Sequence, residues 1–309
     1  MKLDSETRSV AFITVAGDDQ CYRPIGTGFI VRKGEEDSAT WPMVCGEEWH
    51  TYLVTAAHVV RSRRESTYVR LPPKEADTHT HEEPTCEDLP VRGWVFHDDP
   101  GVDVAVAPLE LPATGYAYRS LMAPPSNSDG RSAIQTLRGR ARLGETVYFI
   151  GLLGEVPEMG KRNIPMIRSG TLGAWWQENV PVQVDGNTVL ATTAHLIDAH
   201  SHAGFSGSPC FVYVPHFDGE RPKDDEPLTP EAFGRCDEKI LIGLVRGHFP
   251  HIRRVNIEQA GAQLGSAQVP INTGVAVVTP APYIGDVLAK EELIQHRGAK
   301  RQQRLNDKE

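Results

Sequence analysis

Short β-branched and aromatic runs, each cut off by turn residues, constrain the fold of this chain more than any other feature. Residues 8–16 and 25–32 are such runs, closed by Gly17-Asp18-Asp19 and Lys33-Gly34-Glu35, and they read as antiparallel strands with turns. Similar runs lie at 52–54, 67–71, 91–97, 145–151, 167–173, about 188–197, 240–245 and 272–280, and another begins at Asp103. The chain has 309 residues and is 39% hydrophobic, enough for a true core in one large domain or two packed subdomains. The pattern predicts an all-β protein.

Polar, proline-bearing stretches separate these runs. Residues 33–50 read as a hairpin loop, and 72–90, with Pro72, Pro73 and many acidic residues, as an exposed insertion. His79, His81 and Cys86 fall in that insertion but lack the paired spacing of a structural zinc site, so a solvated loop is the reading taken. Residues 110–143 form a connection rich in breakers (Pro112, Pro124, Pro125, Gly130), with room for one helical turn at 131–138. Residues 216–237 are a second, acidic insertion. After Pro280 the spacing of Ile284, Val287 and Leu288 predicts a helix face, and the charged stretch from Arg297 to Glu309 a solvated tail. No internal repeat is present.

Three of the runs carry chemistry. In Gly204-Phe205-Ser206-Gly207-Ser208-Pro209, a serine between glycines precedes the apolar run Cys210-Phe211-Val212, a setting that exposes a hydroxyl. A serine is a weak nucleophile at neutral pH unless a base activates it and a third group orients the base. Candidates for both lie upstream, His58 in Thr55-Ala56-Ala57-His58-Val59 and Asp103 in Val102-Asp103-Val104-Ala105-Val106. Singly, each has an ordinary structural explanation: a serine in a glycine-rich turn, a hydrogen-bonded histidine at a strand end, an aspartate as turn former. Jointly, and in the order His, Asp, Ser, the three motifs resemble those of the trypsin-like (chymotrypsin-fold) serine peptidases, bacterial-type members included. The resemblance runs from about Ile25 to about Leu288.

The resemblance implies two packed six-stranded antiparallel β-barrels with a C-terminal helix. Residues 1–110 would form the first barrel, carrying His58 and Asp103, and 111–143 the linker. Residues 144–280 would form the second barrel, carrying Ser206, with the helix and charged tail in 281–309. Ser206 would be the nucleophile, His58 the general base and acid, and Asp103 the group orienting the imidazole. The N–H groups of Gly204 and Ser206 would form the oxyanion hole. His200, six residues before Ser206, would lie at the base of the primary substrate pocket with His248 on the facing wall, a pair suited to an acidic substrate side chain.

Three positions depart from the family pattern. Phe205 stands where activatable members have an aspartate, Ser208 replaces the commoner second glycine, and Arg246 stands where many members have a serine supporting the aspartate. Secreted members usually have a cysteine next to the histidine, and here that residue is Val59. With an odd count of five irregularly spaced cysteines, a reduced, cytoplasmic protein is expected.

Other classes fit less well. The formal charge of −9 argues against a nucleic-acid-binding protein, which needs a cationic face. No apolar run approaches the roughly 18 residues that would cross a bilayer, and Val10 to Ala16, preceded by Asp4 and Glu6, reads as a first strand rather than a signal peptide. The implied chemistry uses no cofactor and no metal ion. The expected partner is a protein or peptide substrate, with room for a regulatory protein. An α/β-hydrolase elbow would need glycine at position 208 and a helix after it, where this chain has Ser208, Pro209 and a strand-like run. A catalytically silent or partner-gated binding module with the same fold is the alternative.

Overall fold

The computed structural model describes residues 4–17, 22–34, 49–63, 66–71, 86–111, 118–126, 141–152, 164–185, 188–200, 204–214, 238–259 and 262–306. The predicted turn at 131–138, the loop residues 35–48, His79, His81 and the insertion at 216–237 lie outside the described residues. A one-turn helix α1 (Asp4–Thr7) precedes an N-terminal sheet of β1 (Val10–Ala16), β2 (Tyr22–Gly34), β3 (Trp49–Thr55), β4 (Thr67–Leu71), β5 (Glu87–Val91), β6 (Val95–Phe96), β7 (Ala105–Pro108) and β8 (Leu121–Met122). A short helix α2 (Ala57–Val60) follows β3. The strand order is β5-β4-β1-β2-β3-β7-β6, with β8 added in parallel to β2. The described pairs thus make an eight-stranded sheet where six strands were expected.

The C-terminal half is a closed barrel of antiparallel strands. It comprises β9 (Thr146–Leu152), β10 (Pro165–Asp185), β11 (Thr188–Asp198), β12 (Pro209–Val214), β13 (Glu238–Gln259) and β14 (Ala262–Pro280), in the order β10-β11-β14-β13-β12-β9. All-β architecture, antiparallel barrel and short C-terminal helical segment accord with the chymotrypsin-like fold the motifs imply. β13 and β14 continue past the predicted runs as one hairpin, paired from Gly243↔Pro280 to Gln259↔Ala262.

Strand alternation explains how the two halves share a core. Successive side chains on a strand point to opposite faces. On β9, Val147 and Phe149 therefore enter the barrel interior while Ile150 and Leu152 join the core of the N-terminal sheet. On β12, Cys210 and Val212 point into the barrel and Phe211 points out to the sheet. Strands that are buried on both faces read as continuous apolar runs, and this double burial is the reason.

The C-terminal segment adds to the sequence reading in two respects. Helix α3 (Pro282–Leu288) and helix α4 (Glu291–Asn306) place Ile284, Val287, Leu288 and Leu293 in the core shared by the N-terminal sheet and the outward faces of β9, β12 and β13, while Tyr283 stacks on Trp176 of the second barrel, so the helical segment meets both halves. Residues 298, 299 and 301–306 are exposed, as a solvated tail requires, but they are helical, and Arg297 at the start of the segment is buried. Its Nη1 donates to the Tyr52 hydroxyl at 3.2 Å and to the Leu288 carbonyl at 3.1 Å. One buried leucine and one arginine a turn later suffice to dock an otherwise charged helix, which hydropathy alone does not register. Lys290 pairs with Asp98 at 2.5 Å, and Tyr283 meets His97 edge to face, so α3 and the junction between the two helices also rest on the loop leading to Asp103.

Replacing Arg297 with methionine keeps the packing volume but removes the donor to the buried Tyr52 hydroxyl. Arg297→Met should lower stability by about 1–3 kcal/mol, read as a lower midpoint in chemical denaturation. A midpoint equal to that of the parent protein would show that the helix docks without this contact.

Candidate active site

His58 sits in the first turn of α2, whose N-cap Ala56 offers no side-chain hydrogen bond. The early N–H groups of a helix have no partner within it, and the His58 N–H finds one in Asp103 Oδ1 at 2.9 Å. Val59 and Val60 are buried and fix the turn, which leaves the imidazole side chain 43% exposed. Its Nδ1 lies 2.6 Å from Asp103 Oδ2.

Asp103 lies between buried Val102 and Val104 and is itself only 3% exposed. Burial alone would push its carboxyl up. The charge and hydrogen bonds of His58, together with the charge of Arg246, outweigh burial and hold it below the usual carboxylate range. A carboxyl so lowered contributes stability fully above its ordinary range, and that contribution is lost as the pH falls through the lowered value. Asp103 is therefore ionised at neutral pH and acts only as an acceptor, so the proton of the 2.6 Å contact belongs to Nδ1 and Nε2 is the ring nitrogen left for other partners.

Ser206 lies in a turn set by two glycines with positive φ, Gly204 at +94° and Gly207 at +88°. The turn is closed by Ser208 N–H to the Phe205 carbonyl at 3.0 Å, and Gly207 N–H to the Val245 carbonyl at 2.7 Å. Phe205 is fully buried edge to face with Phe149, so apolar packing anchors the position where an aspartate would stand in activatable members. Among the described residues, none accepts a hydrogen bond from the N–H of Gly204 or of Ser206.

The N-terminal sheet grips this turn through Thr27, a residue the motifs did not single out. Thr27 N–H donates to the Ser206 carbonyl at 3.0 Å and its hydroxyl to the Gly204 carbonyl at 2.7 Å. The same hydroxyl accepts the Leu152 N–H at 3.0 Å, and Thr55 Oγ1 donates to the Thr27 carbonyl at 2.7 Å. A threonine inside the apolar strand β2 was the available signal, since a buried hydroxyl needs partners.

The Ser206 hydroxyl donates to the Arg246 carbonyl at 3.0 Å, and among the described residues no hydrogen bond joins it to His58. The Arg246 side chain turns the other way. Its Nη1 donates to the Gly101 carbonyl at 2.9 Å, and its Nε lies 3.9 Å from Asp103 Oδ2. His200 and His248 are both exposed and flank β14: the His200 ring lies over Gly274, and His248 pairs with Ala276.

Residues 26–213 match the family model described as a trypsin-like peptidase domain. Solved structures similar to the chain include the active form of the Rv3671c protease from M. tuberculosis, at 16% identity, covering 92% of this chain and 81% of that one, with a TM-score of 0.42. They also include Deg5, at 16% identity, with coverages of 79% and 82% and a TM-score of 0.40. The HtrA-type protease AlgW with a decapeptide aligns at 14% identity, with coverages of 96% and 67% and a TM-score of 0.43. No curated protein sequence matches the chain.

A side chain at position 207 would collide with the Thr27 carbonyl oxygen and Thr55 Oγ1 in a backbone conformation that disfavours it. Gly207→Ala should therefore destabilise the protein by about 2–5 kcal/mol. Gly298→Ala, in α4 with open space around the added carbon, serves as the control and should be neutral or slightly stabilising. Equal melting of the two variants would contradict the tight packing of the turn on the N-terminal sheet.

Proposed function

The chain belongs to the trypsin-like peptidase family, and we propose on that premise that it is a serine endopeptidase with Ser206 as nucleophile, His58 as base and Asp103 as orienting acid. The observation that carries this reading is the His58–Asp103 contact. A buried, ionised carboxylate accepts the hydrogen bond of Nδ1–H at 2.6 Å, which fixes the ring and leaves Nε2 of a half-exposed imidazole to act as the base.

In the proposed reaction the Ser206 hydroxyl leaves the Arg246 carbonyl and turns toward Nε2. Its oxygen forms a bond to the scissile carbonyl carbon while the proton passes to His58. The carbonyl π pair moves onto oxygen, where the N–H groups of Gly204 and Ser206 are the donors available to the developing charge. Collapse of the tetrahedral intermediate breaks the C–N bond, and the imidazolium gives its proton to the leaving amine. Water repeats the sequence on the acyl-enzyme, returning a free acid and the serine.

The hydrogen bond from Ser206 to the Arg246 carbonyl favours a second reading, a gated or catalytically silent member in which a partner must release the hydroxyl. A fluorophosphonate probe followed by intact mass separates the two. An active peptidase should gain one adduct, absent from Ser206→Ala, and that variant should lose about 10⁴-fold or more of any peptide hydrolysis. Folded protein that takes up no probe would reject constitutive activity.

His200 and His248 extend the proposal to substrate choice. Imidazoles on either side of β14 would favour a glutamate or aspartate side chain through hydrogen bonds and partial positive charge. Reporter peptides differing only in Glu, Leu or Arg before the scissile bond should be cleaved fastest at Glu. Equal rates would exclude the preference.

A further inference from the structure

Arg246 joins the three groups of the site from a single position on β13. Its neighbour Val245 is bonded to the nucleophile turn on both sides, accepting from Gly207 N–H at 2.7 Å and donating to the Ser208 carbonyl at 2.8 Å. Its own carbonyl receives the Ser206 hydroxyl. Its side chain, 9% exposed, crosses to the N-terminal sheet, where it holds the Gly101 carbonyl and stands beside Asp103. Gly101 is two residues before Asp103, so this hydrogen bond fixes the loop that delivers the carboxylate.

A neutral serine at this position would give Asp103 one hydrogen bond. Arginine brings a full charge that stays on at any pH where the protein is folded. Burial pushes the Arg246 guanidinium down, Asp103 holds it up, and Arg61 at the C-terminal end of α2 pushes it down again. Asp103 is thus shared between two cationic partners, His58 when protonated and Arg246 always. The other charged and titratable groups of this neighbourhood include Asp99, which accepts the Gly101 N–H at 2.8 Å, and His97, which accepts the Asp99 N–H at 3.1 Å, with Asp98 paired to Lys290, and Asp286 and Tyr283 of α3 against His97. His97, Asp98 and Asp99 belong to the loop Arg246 grips, and His248 lies exposed two residues further along β13.

Resting on the triad reading above, we propose that Arg246 is a positioning residue that locks the Asp103 loop to the nucleophile strand and, through its charge, sets the pH range in which the site works. The physical reason is competition for one carboxylate. A guanidinium beside Asp103 cancels part of the negative potential that draws a proton onto the imidazole, so the imidazole releases its proton at lower pH than it would beside an unshared aspartate. Removing the charge makes the ring keep its proton to higher pH, and the acid limb of the activity profile moves up.

The test uses the full chain with Arg246→Gln, Arg246→Ser and Arg246→Lys, each checked for folding by thermal melting. Two readouts are taken against pH: the rate of fluorophosphonate labelling, and the ring-proton NMR titration of His58, assigned with His58→Ala. Arg246→Gln and Arg246→Ser should move both midpoints to higher pH, so that labelling at pH 6 falls about fivefold or more beyond any loss on the alkaline plateau. Arg246→Lys should keep the midpoint of the parent protein. A uniform loss of rate with unmoved midpoints in the neutral variants would overturn the charge role and leave only packing.

Should the neutral variants not fold, Arg246→Lys decides alone, since a displaced midpoint in that charge-retaining protein overturns the proposal. Parent protein that takes up no probe defeats the peptidase reading instead, and the NMR titration, which needs no turnover, still decides the role of Arg246.

Discussion

The grip of Thr27 on the nucleophile turn is the contact on which the rest of the site depends. One threonine donates through its backbone to the Ser206 carbonyl and through its hydroxyl to the Gly204 carbonyl, and accepts the Leu152 N–H on the same oxygen. These bonds cross from the N-terminal sheet to the barrel, and Thr27 is fully buried, so breaking them leaves its polar groups without water to replace the partner. Gly204 and Gly207 take positive φ because the turn must fold back against this surface, and Gly207 has no side chain because Thr27 and Thr55 occupy the space one would need. The position of the half-buried Ser206 is thus a product of the packing between the two halves.

The second constraint is electrostatic. Asp103 is buried, and a buried carboxylate persists as an ion only when its surroundings restore what water would have supplied. Two hydrogen bonds from His58 and the nearby guanidinium of Arg246 do so. The same three groups also lock geometry, since the bond to the His58 N–H caps α2 and the Arg246 contact to Gly101 ties the loop to β13. Charge compensation and positioning cannot be separated here, which is why one substitution at 246 is expected to change both.

The described elements vary in how openly the sequence displays them. β1, β4 and β9 coincide closely with apolar runs bounded by turn residues. The extensions of β13 and β14 through residues such as Arg253, Arg254 and Gln268 are paired backbone without an apolar signature, and so were missed. The end of the chain misled in the opposite direction. Its charge suggested a solvated tail, but Leu293 and Arg297 lie one helical turn apart and face Tyr52, and that narrow stripe docks α4. Hydropathy reports the average around a helix, whereas docking depends on the one stripe that meets a neighbour.

What the sequence determined by itself was the set of local instructions: where strands run, where the chain must turn, and which three motifs hold a serine, a histidine and an acid. Residue type and near neighbours carry that information, because strand alternation and glycine turns act over a few residues. Only the tertiary structure decided that His58 Nδ1 meets Asp103 at 2.6 Å, that Ser206 donates to the Arg246 carbonyl, and that the Arg246 side chain reaches back to Asp103 from the other half of the molecule. Those contacts join residues 40 to 143 positions apart. They are set by how two sheets share a core, and no local pattern in the chain encodes that distance or direction.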